Sequence, residues 1–317
     1  MAINKVKINN LLIFKGEFSM EFCRGVNVLI GGNSTGKTTL LKTLYWWVDN
    51  HSYLDWESNP RHREFFTGIE HYFGGSFTDG DAFDGFDIKV HPETHEKKGV
   101  YIPEKDILEH SPGLLTFIEQ KKRTGFSQVY KNLLIAAQDI PTQKQSKTQQ
   151  SVGAHIAEIV GGDVRRDKED GSFYILKTDG RRIPFSHEAS GYKRLGFLGL
   201  LVVCGQLEKG SILFWDEPEN SLNPELIPEL VDILLELAKN DMQIFIATHD
   251  YNIARYFDVR KDKSIPVLFH NFTKIEENIT CYSSPEYIKL PNNLLEAASE
   301  DLFKAVVSDA LEVTGDE

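Results

Sequence analysis

The chain has 317 residues, 41% of them hydrophobic and 26% charged, with a formal net charge of −12. That length suffices for one large domain with a sizeable core. The acidic balance excludes a general attraction to nucleic-acid phosphates or anionic lipid, so either contact needs a local basic patch.

The candidates for such a patch are Lys121, Lys122 and Arg123, and the pair Arg165 and Arg166; short clusters of this kind are usually solvated faces. Cys23, Cys204 and Cys281 have no paired spacing, which fits a reducing compartment and no metal site. The N-terminus lacks the apolar core of a signal peptide, and the longest apolar run, residues 195–205, is far short of the roughly 20 residues of a membrane span. A cytoplasmic protein without a membrane partner is expected.

In chain order, "KVKINNLLIF" and "EFSMEF" alternate apolar and polar residues and predict two strands turning at Lys15-Gly16. "VNVLI" (26–30) reads as a buried strand and "KTTLLKTLYWWV" (37–48) as a helix. Residues 50–99, rich in Gly, Asp, His and aromatics, read as irregular with short strands and hairpins. "VYIP" (100–103) is a further strand. A mainly helical pattern follows to about Val160, broken by the polar "PTQKQSKTQQS". "SFYILKTDGRRIPFS" signals a hairpin at Asp179-Gly180. Tyr192 to Leu207 is an apolar helix and "SILFWDE" a short buried strand. A helix then starts at Pro224, with Asn223 as its N-cap. "MQIFIATHD" is the next strand. A helix (251–257), strands "IPVLFH" and "ITCYS", and a helical tail from about Asn292 complete the chain. The apolar strand–helix–strand order of the second half predicts a parallel α/β core.

Three stretches carry chemistry. In "GGNSTGKTTL" (31–40), Gly31, Gly36, Lys37 and Thr38 have the spacing of a phosphate cradle between a strand and a helix. Backbone N–H groups along Asn33, Ser34, Thr35, Gly36, Lys37, Thr38 and Thr39 would bind α- and β-phosphates, helped by the positive end of the helix. Lys37 would reach the β- and γ-phosphates and the Thr38 hydroxyl would coordinate Mg²⁺. "ILFWDEPENSL" sets Asp216 at the C-terminal end of a buried strand, where open α/β sheets bind ligands. Asp216 would complete the Mg²⁺ shell and Glu217 would polarise the attacking water. "IFIATHD" repeats that placement, and puts His249 within reach of the γ-phosphate or the water.

The order and spacing of these stretches, together with "INNLLIFKGEFSMEF" and "EASGYKRLGFLGLL", resemble an ABC-type P-loop ATPase of the SMC, RecF and OLD-like branch. The resemblance implies an α/β ATPase head with a mainly parallel sheet, an antiparallel N-terminal β-subdomain and a compact helical lobe. It implies a single domain over 1–317, with a helical lobe and β-hairpin inserted at 104–185 and a helical tail at 285–317. ATP and Mg²⁺ would be the ligands. Two copies would sandwich two ATPs, each lending a signature loop, here Ser190 and Gly191, to its neighbour's γ-phosphate; a dimer or higher homo-oligomer follows.

The chain departs from that pattern in places. The aligned signature residues are Glu188, Ala189, Ser190, Gly191 and Tyr192, and Ala189 replaces the family's serine. One charge-assisted hydrogen bond is thereby missing, worth on the order of 1.5–3 kcal/mol, and slow or partner-dependent hydrolysis is expected. Asn223-Pro224 stands where an aspartate is common. The family's Mg²⁺-sensing glutamine falls on Gln128, Gln138 or Glu104, and the adenine-side contact on Phe14 or Lys15. Trp46, Trp47, Trp56, Phe65 and Phe66 suit an interface or a core alike. His62, His71, His91, His95 and His110 have no ligand spacing.

No coiled-coil arm and no nuclease motif accompany the ATPase residues. Such solitary heads resemble those of bacterial antiviral defence operons, which implies a nucleotide-gated switch acting on a separate nuclease or toxin. A DNA-repair or DNA-maintenance ATPase is the alternative, with DNA contact not indicated by net charge, and the nucleotide-binding subunit of a transporter is a third reading.

Overall fold

A computed structural model describes residues 2–51, 87–91, 98–105, 114, 117, 128–138, 144–167 and 169–315. Twelve strands and seven helices of four residues or more are described in these segments. Strands β3 (Val26–Gly31), β5 (Gly99–Ile102), β9 (Ile212–Asp216), β10 (Gln243–Ala247), β11 (Val267–Ile275) and β12 (Asn278–Ser284) form one sheet in the order β12-β11-β3-β10-β9-β5. All pairs are parallel except β11–β12. β3 therefore lies between two strands from the last quarter of the chain.

Strand side chains alternate between two cores, as the two-residue period requires. Val28, Ile30, Leu213, Trp215, Ile244 and Ile246 share one core with helices α3 (Lys147–Val160), α4 (Ser190–Val203), α5 (Ile227–Lys239) and α6 (Tyr251–Arg260). Leu29, Ile212, Phe214, Phe245 and Phe272 share the other with α1 (Lys37–His51) and the antiparallel sheet β2-β1-β4. That sheet comprises β1 (Lys5–Leu11), β2 (Phe14–Glu21) and β4 (Asp87–His91). Burial on both faces explains the unbroken apolar runs of the parallel strands. A third sheet, β6 (Gly162–Arg166), β7 (Phe173–Lys177) and β8 (Arg182–Pro184), is antiparallel throughout. The remaining helices are α2 (Gln128–Ala136) and α7 (Leu294–Gly315).

The mixed α/β class, the parallel central sheet and the antiparallel N-terminal sheet agree with expectation. Several local readings need correction. The first hairpin turns at Leu12-Ile13, with Leu11 paired to Phe14, and Lys15-Gly16 lies inside β2. Asn10 and Leu12 take φ of 51°, a conformation that pattern reasoning assigns to glycine. The Asn10 side chain secures the bulge by accepting from Gly16 N at 2.8 Å. Half of the polar stretch 141–151 is helix, because Ser146 and Gln149 form a capping box that starts α3. β6 has no signature in the sequence; "GDVRR" has no alternation and is a strand through its ladder to β7. Asn223 and Pro224 open a 3-10 turn rather than the helix itself, which begins at Ile227.

Among the described residues no helix is long and apolar enough to cross a membrane. Arg165 pairs with Asp163 at 3.0 Å. Trp46 and Trp47 are buried, so they belong to the core and not to an interface. Trp56, Phe65, Phe66, His62, His71, His95, His110 and the 121–123 cluster lie outside the described residues, while His91 is in β4.

Candidate functional site

The parallel register brings four loops to one edge of the sheet. Leu29 pairs with Ala247, Ala247 with Asp216 and Trp215 with Ile102. The segments after β3, β10, β9 and β5 therefore emerge side by side, at the carboxyl ends where such sheets bind ligands.

The loop after β3 is shaped by its glycines. Gly31 and Gly36 have φ of 139° and 93°. A Cβ on Gly36 would stand 2.7 Å from Phe14 Cζ, and one on Gly31 would stand 2.3 Å from the Phe272 carbonyl oxygen. Ser34 adds a third left-handed residue at φ 58°. Thr35 Oγ1 donates to Gly32 O at 2.9 Å, closing the loop on itself. Asn33, Ser34 and Thr38 are exposed along it, and Thr39 is half-buried with its carbonyl accepting from Thr43 Oγ1 at 2.8 Å.

Lys37 begins α1 with only 5% exposure. Its Nζ donates to Gly31 O and Gly32 O, each at 2.9 Å. Burial pushes its pKa down to about 8, against the pull of Asp216, Glu217 and Glu219. Asp216 is 3% exposed and held at both oxygens. Thr38 Oγ1 donates to Oδ1 at 3.1 Å and the Tyr101 hydroxyl to Oδ2 at 3.2 Å. Burial raises its pKa, opposed by these two bonds and by the Lys42 charge.

Glu217 has φ 49°. Its pKa is raised by desolvation and then by the charges of Glu104, Asp216 and Glu219. His249 Nε2 lies 3.5 Å from Glu217 Oε1. Burial, then the Lys37 charge, holds the His249 ring below the ordinary imidazole value. The structure thus brings Lys37, Thr38, Asp216, Glu217 and His249 to one place.

Ser190 and Gly191 open α4, where a Cβ on Gly191 would stand 3.4 Å from Ser221 O in the loop after β9. Ala189 is the N-cap and offers no side-chain cap. Glu188 Oε2 is ion-paired at 2.6 Å to Lys177 from β7, and its Oε1 accepts from Ala189 N at 3.1 Å. The signature-like loop is thereby moored to the third sheet.

Of the three residues considered for the glutamine position, Glu104 lies at the end of β5 and its charge acts on Asp216, Glu217, Lys42 and His249. Gln128 instead donates to Asn132 Oδ1 at 2.8 Å, and Gln138 lies in the turn two residues beyond α2. Phe14 is 1% exposed and packed on Phe18 at 4.6 Å, which leaves its ring no face for an adenine. Lys15 is exposed and paired with Glu277 at 2.8 Å.

Sequence reasoning missed three contributors. Tyr101, within the strand "VYIP", gives no sign in the sequence that its hydroxyl binds Asp216. Glu219, within "DEPEN", binds Thr248 Oγ1 at 2.6 Å and His249 N at 3.0 Å, and so ties the loop after β10 to the loop after β9. Arg194 lies in the helix after the signature-like loop and bonds backbone carbonyls of two other loops.

The family described as "AAA domain, putative AbiEii toxin, Type IV TA system" matches residues 48–255, well over half of the chain. The chain belongs to this AAA family. The matched span begins after the glycine loop, so loop geometry and family membership are separate observations. The SMC head bound to the C-terminal winged-helix domain of ScpA is similar at 13% identity and TM-score 0.52, covering 94% of this chain and all (100%) of that one. The SMC head from Pyrococcus furiosus with an extended coiled coil, bound to the C-terminal domain of ScpA, matches at 10% identity and TM-score 0.50, covering 96% and 99%. These likenesses show that this AAA-family chain has the fold of an SMC head. Glutamine transport ATP-binding protein GlnQ of Bacillus subtilis is 22% identical over 136 residues, 42% of this chain and 55% of GlnQ. Arginine transport ATP-binding protein ArtP of Escherichia coli K12 is 31% identical over 84 residues, 26% of this chain and 33% of ArtP. The chain spans about half the length of the glutamine-transport relatives it matches.

Proposed function

We propose that the site binds and hydrolyses Mg-ATP, and that hydrolysis gates a dimer that controls a separate effector protein, a nuclease or toxin, in bacterial antiviral defence. The observation that carries the hydrolytic part is the 3.1 Å contact between Thr38 Oγ1 and Asp216 Oδ1 beside a buried Lys37. A hydroxyl and a carboxylate facing each other at the mouth of a phosphate loop are the donor set that Mg²⁺ takes in such sites. The residues fit the ion: Thr38 and Asp216 would hold it. Bound there, it would neutralise charge on the β- and γ-phosphate oxygens.

The protein groups do the rest. Lys37 Nζ exchanges the Gly31 and Gly32 carbonyls for phosphate oxygens. The N–H groups of the loop and the N-terminus of α1 point at the same anion. Glu217, its pKa raised, accepts the proton of the attacking water as the water oxygen bonds to the γ-phosphorus and the bond to the β-γ bridging oxygen breaks. The His249 ring, 3.5 Å from Glu217, orients that water. Ser190 and Gly191 at the start of α4 meet the γ-phosphate held by a second copy, which makes closure depend on nucleotide.

The family description, which names a toxin and a toxin–antitoxin system, supports the effector reading. The DNA-maintenance alternative rests on the SMC-head likeness, and a salt-dependent DNA shift would favour it. The test of the switch is a pair of variants. Glu217→Gln is expected to keep ATP and accumulate as a dimer, and Lys37→Ala to lose nucleotide and stay monomeric. Coincident size-exclusion profiles for the two in ATP would refute it.

A further inference from the structure

Arg194 sits in α4 one helical turn beyond Ser190 and is 7% exposed. Its guanidinium reaches two loops at once. Nη1 donates to Glu217 O at 2.6 Å and Asn220 O at 3.1 Å, both after β9. Nη2 donates to Pro103 O at 3.2 Å and to Glu104 O, both after β5. A planar fork with donors on both arms suits this bridging; a single ammonium does not.

One feature shows what the bridge resists. Glu217 is a non-glycine residue at φ 49°, a conformation that persists only where the surroundings over-determine it. Its N–H is fixed by Ala247 O at 2.8 Å and its carbonyl by Arg194, so its backbone is pinned from both sides.

We infer that Arg194 is a positioning residue that sets the aim of Glu217, by stitching the loops after β5 and β9 together and to the helix that opens with Ser190 and Gly191. Removing the stitch leaves the Glu217 carbonyl bonded only within its own loop, to Asn220 N at 3.1 Å, so that loop shifts relative to the one after β5 and carries the carboxylate away from the water it polarises. Because Arg194 is about 6 Å along the helix axis from Ser190, a shift of the α4 N-terminus as it engages a second copy's triphosphate is delivered to Glu217. The base is thus aimed by the neighbour's nucleotide. This part of the inference rests on the hydrolytic reading above.

The test is Arg194→Lys, which keeps the buried charge but cannot span both loops, with Arg194→Gln as the stronger cut. Hydrogen exchange of the nucleotide-free protein is followed in peptides covering residues 103–105 and 217–223. ATP turnover is measured alongside equilibrium binding of a fluorescent ATP analogue. In Arg194→Lys, exchange is expected to rise about tenfold in both loops together, matching the loss of roughly one hydrogen bond to a charged group. kcat should fall about 10- to 100-fold, as for a small misplacement of a reacting group, with KM and analogue affinity within about threefold of wild type. Unchanged exchange, a rise confined to one loop, or unchanged kcat would overturn the inference. If wild type turns over no ATP while both loops loosen in Arg194→Lys, the stitch stands and the hydrolytic reading falls. Should Arg194→Gln fail to fold, the lysine variant decides alone.

Discussion

The glycine loop and the signature-like loop both precede a helix, yet they are built in opposite ways. The loop from Gly31 to Thr38 closes on itself: Thr35 and Lys37 bond its own carbonyls, and its glycines fit against Phe14 and Phe272. Nothing outside the chain is needed to shape it. The loop from Glu188 to Tyr192 is held from behind, through Lys177 and Arg194, while Ala189 and Ser190 face outward. One loop is complete in a single copy. The other is moored from behind and leaves Ala189 and Ser190 exposed, the face that the proposed dimer would use.

Four changes would break or sharpen that contrast. The largest effect is expected from Glu217→Gln, which removes the base but leaves the glycine loop intact. Turnover should fall by about 10²- to 10⁴-fold with nucleotide affinity retained, measured by steady-state hydrolysis and analogue titration. Lys37→Ala should weaken nucleotide binding by about 100-fold, the cost of charge-assisted bonds to phosphate; a smaller loss would mean that the loop binds by backbone alone. Ala189→Ser probes the other loop. It restores one hydroxyl at the N-cap of α4, so ATP-driven dimerisation should strengthen about tenfold or more, read by light scattering against ATP concentration. An unchanged dimer would show that this loop does not meet the triphosphate.

The smallest effect concerns pH. The Lys37 pKa of about 8 applies to the nucleotide-free protein, and phosphate binds the charged form. Affinity is then full below pH 8 and declines as pH rises through 8, by about tenfold between pH 7 and pH 9. In Lys37→Arg, which stays charged, the decline should vanish.

The parts legible in the sequence are those whose physics is local. "VNVLIGGNSTGKTT" announces strand, loop and helix within a few residues, and Asp216 and His249 each close an apolar run. Their meeting follows from parallel register alone. Arg194 and Tyr101 were not legible because their partners lie about 20 to 115 residues away and, for Arg194, are backbone carbonyls that any sequence possesses. The turn at Leu12-Ile13 was hidden for a related reason: a leucine at positive φ is imposed by the bulge at Asn10 and by no preference of its own. The mooring of Glu188 to Lys177 depends on β6 and β7 pairing, which "GDVRR" does not reveal.

The place of β3 between β10 and β11 has a consequence for how the protein is made. As the chain leaves the ribosome, the strand that carries the glycine loop emerges early and finds neither neighbour. Both arrive only from residue 243 on, so the setting of the glycine loop between β10 and β11 is among the last features to form during synthesis. A nascent or prematurely stopped product ending before β10 would display an unpaired apolar strand, leaving it to chaperones and proteases.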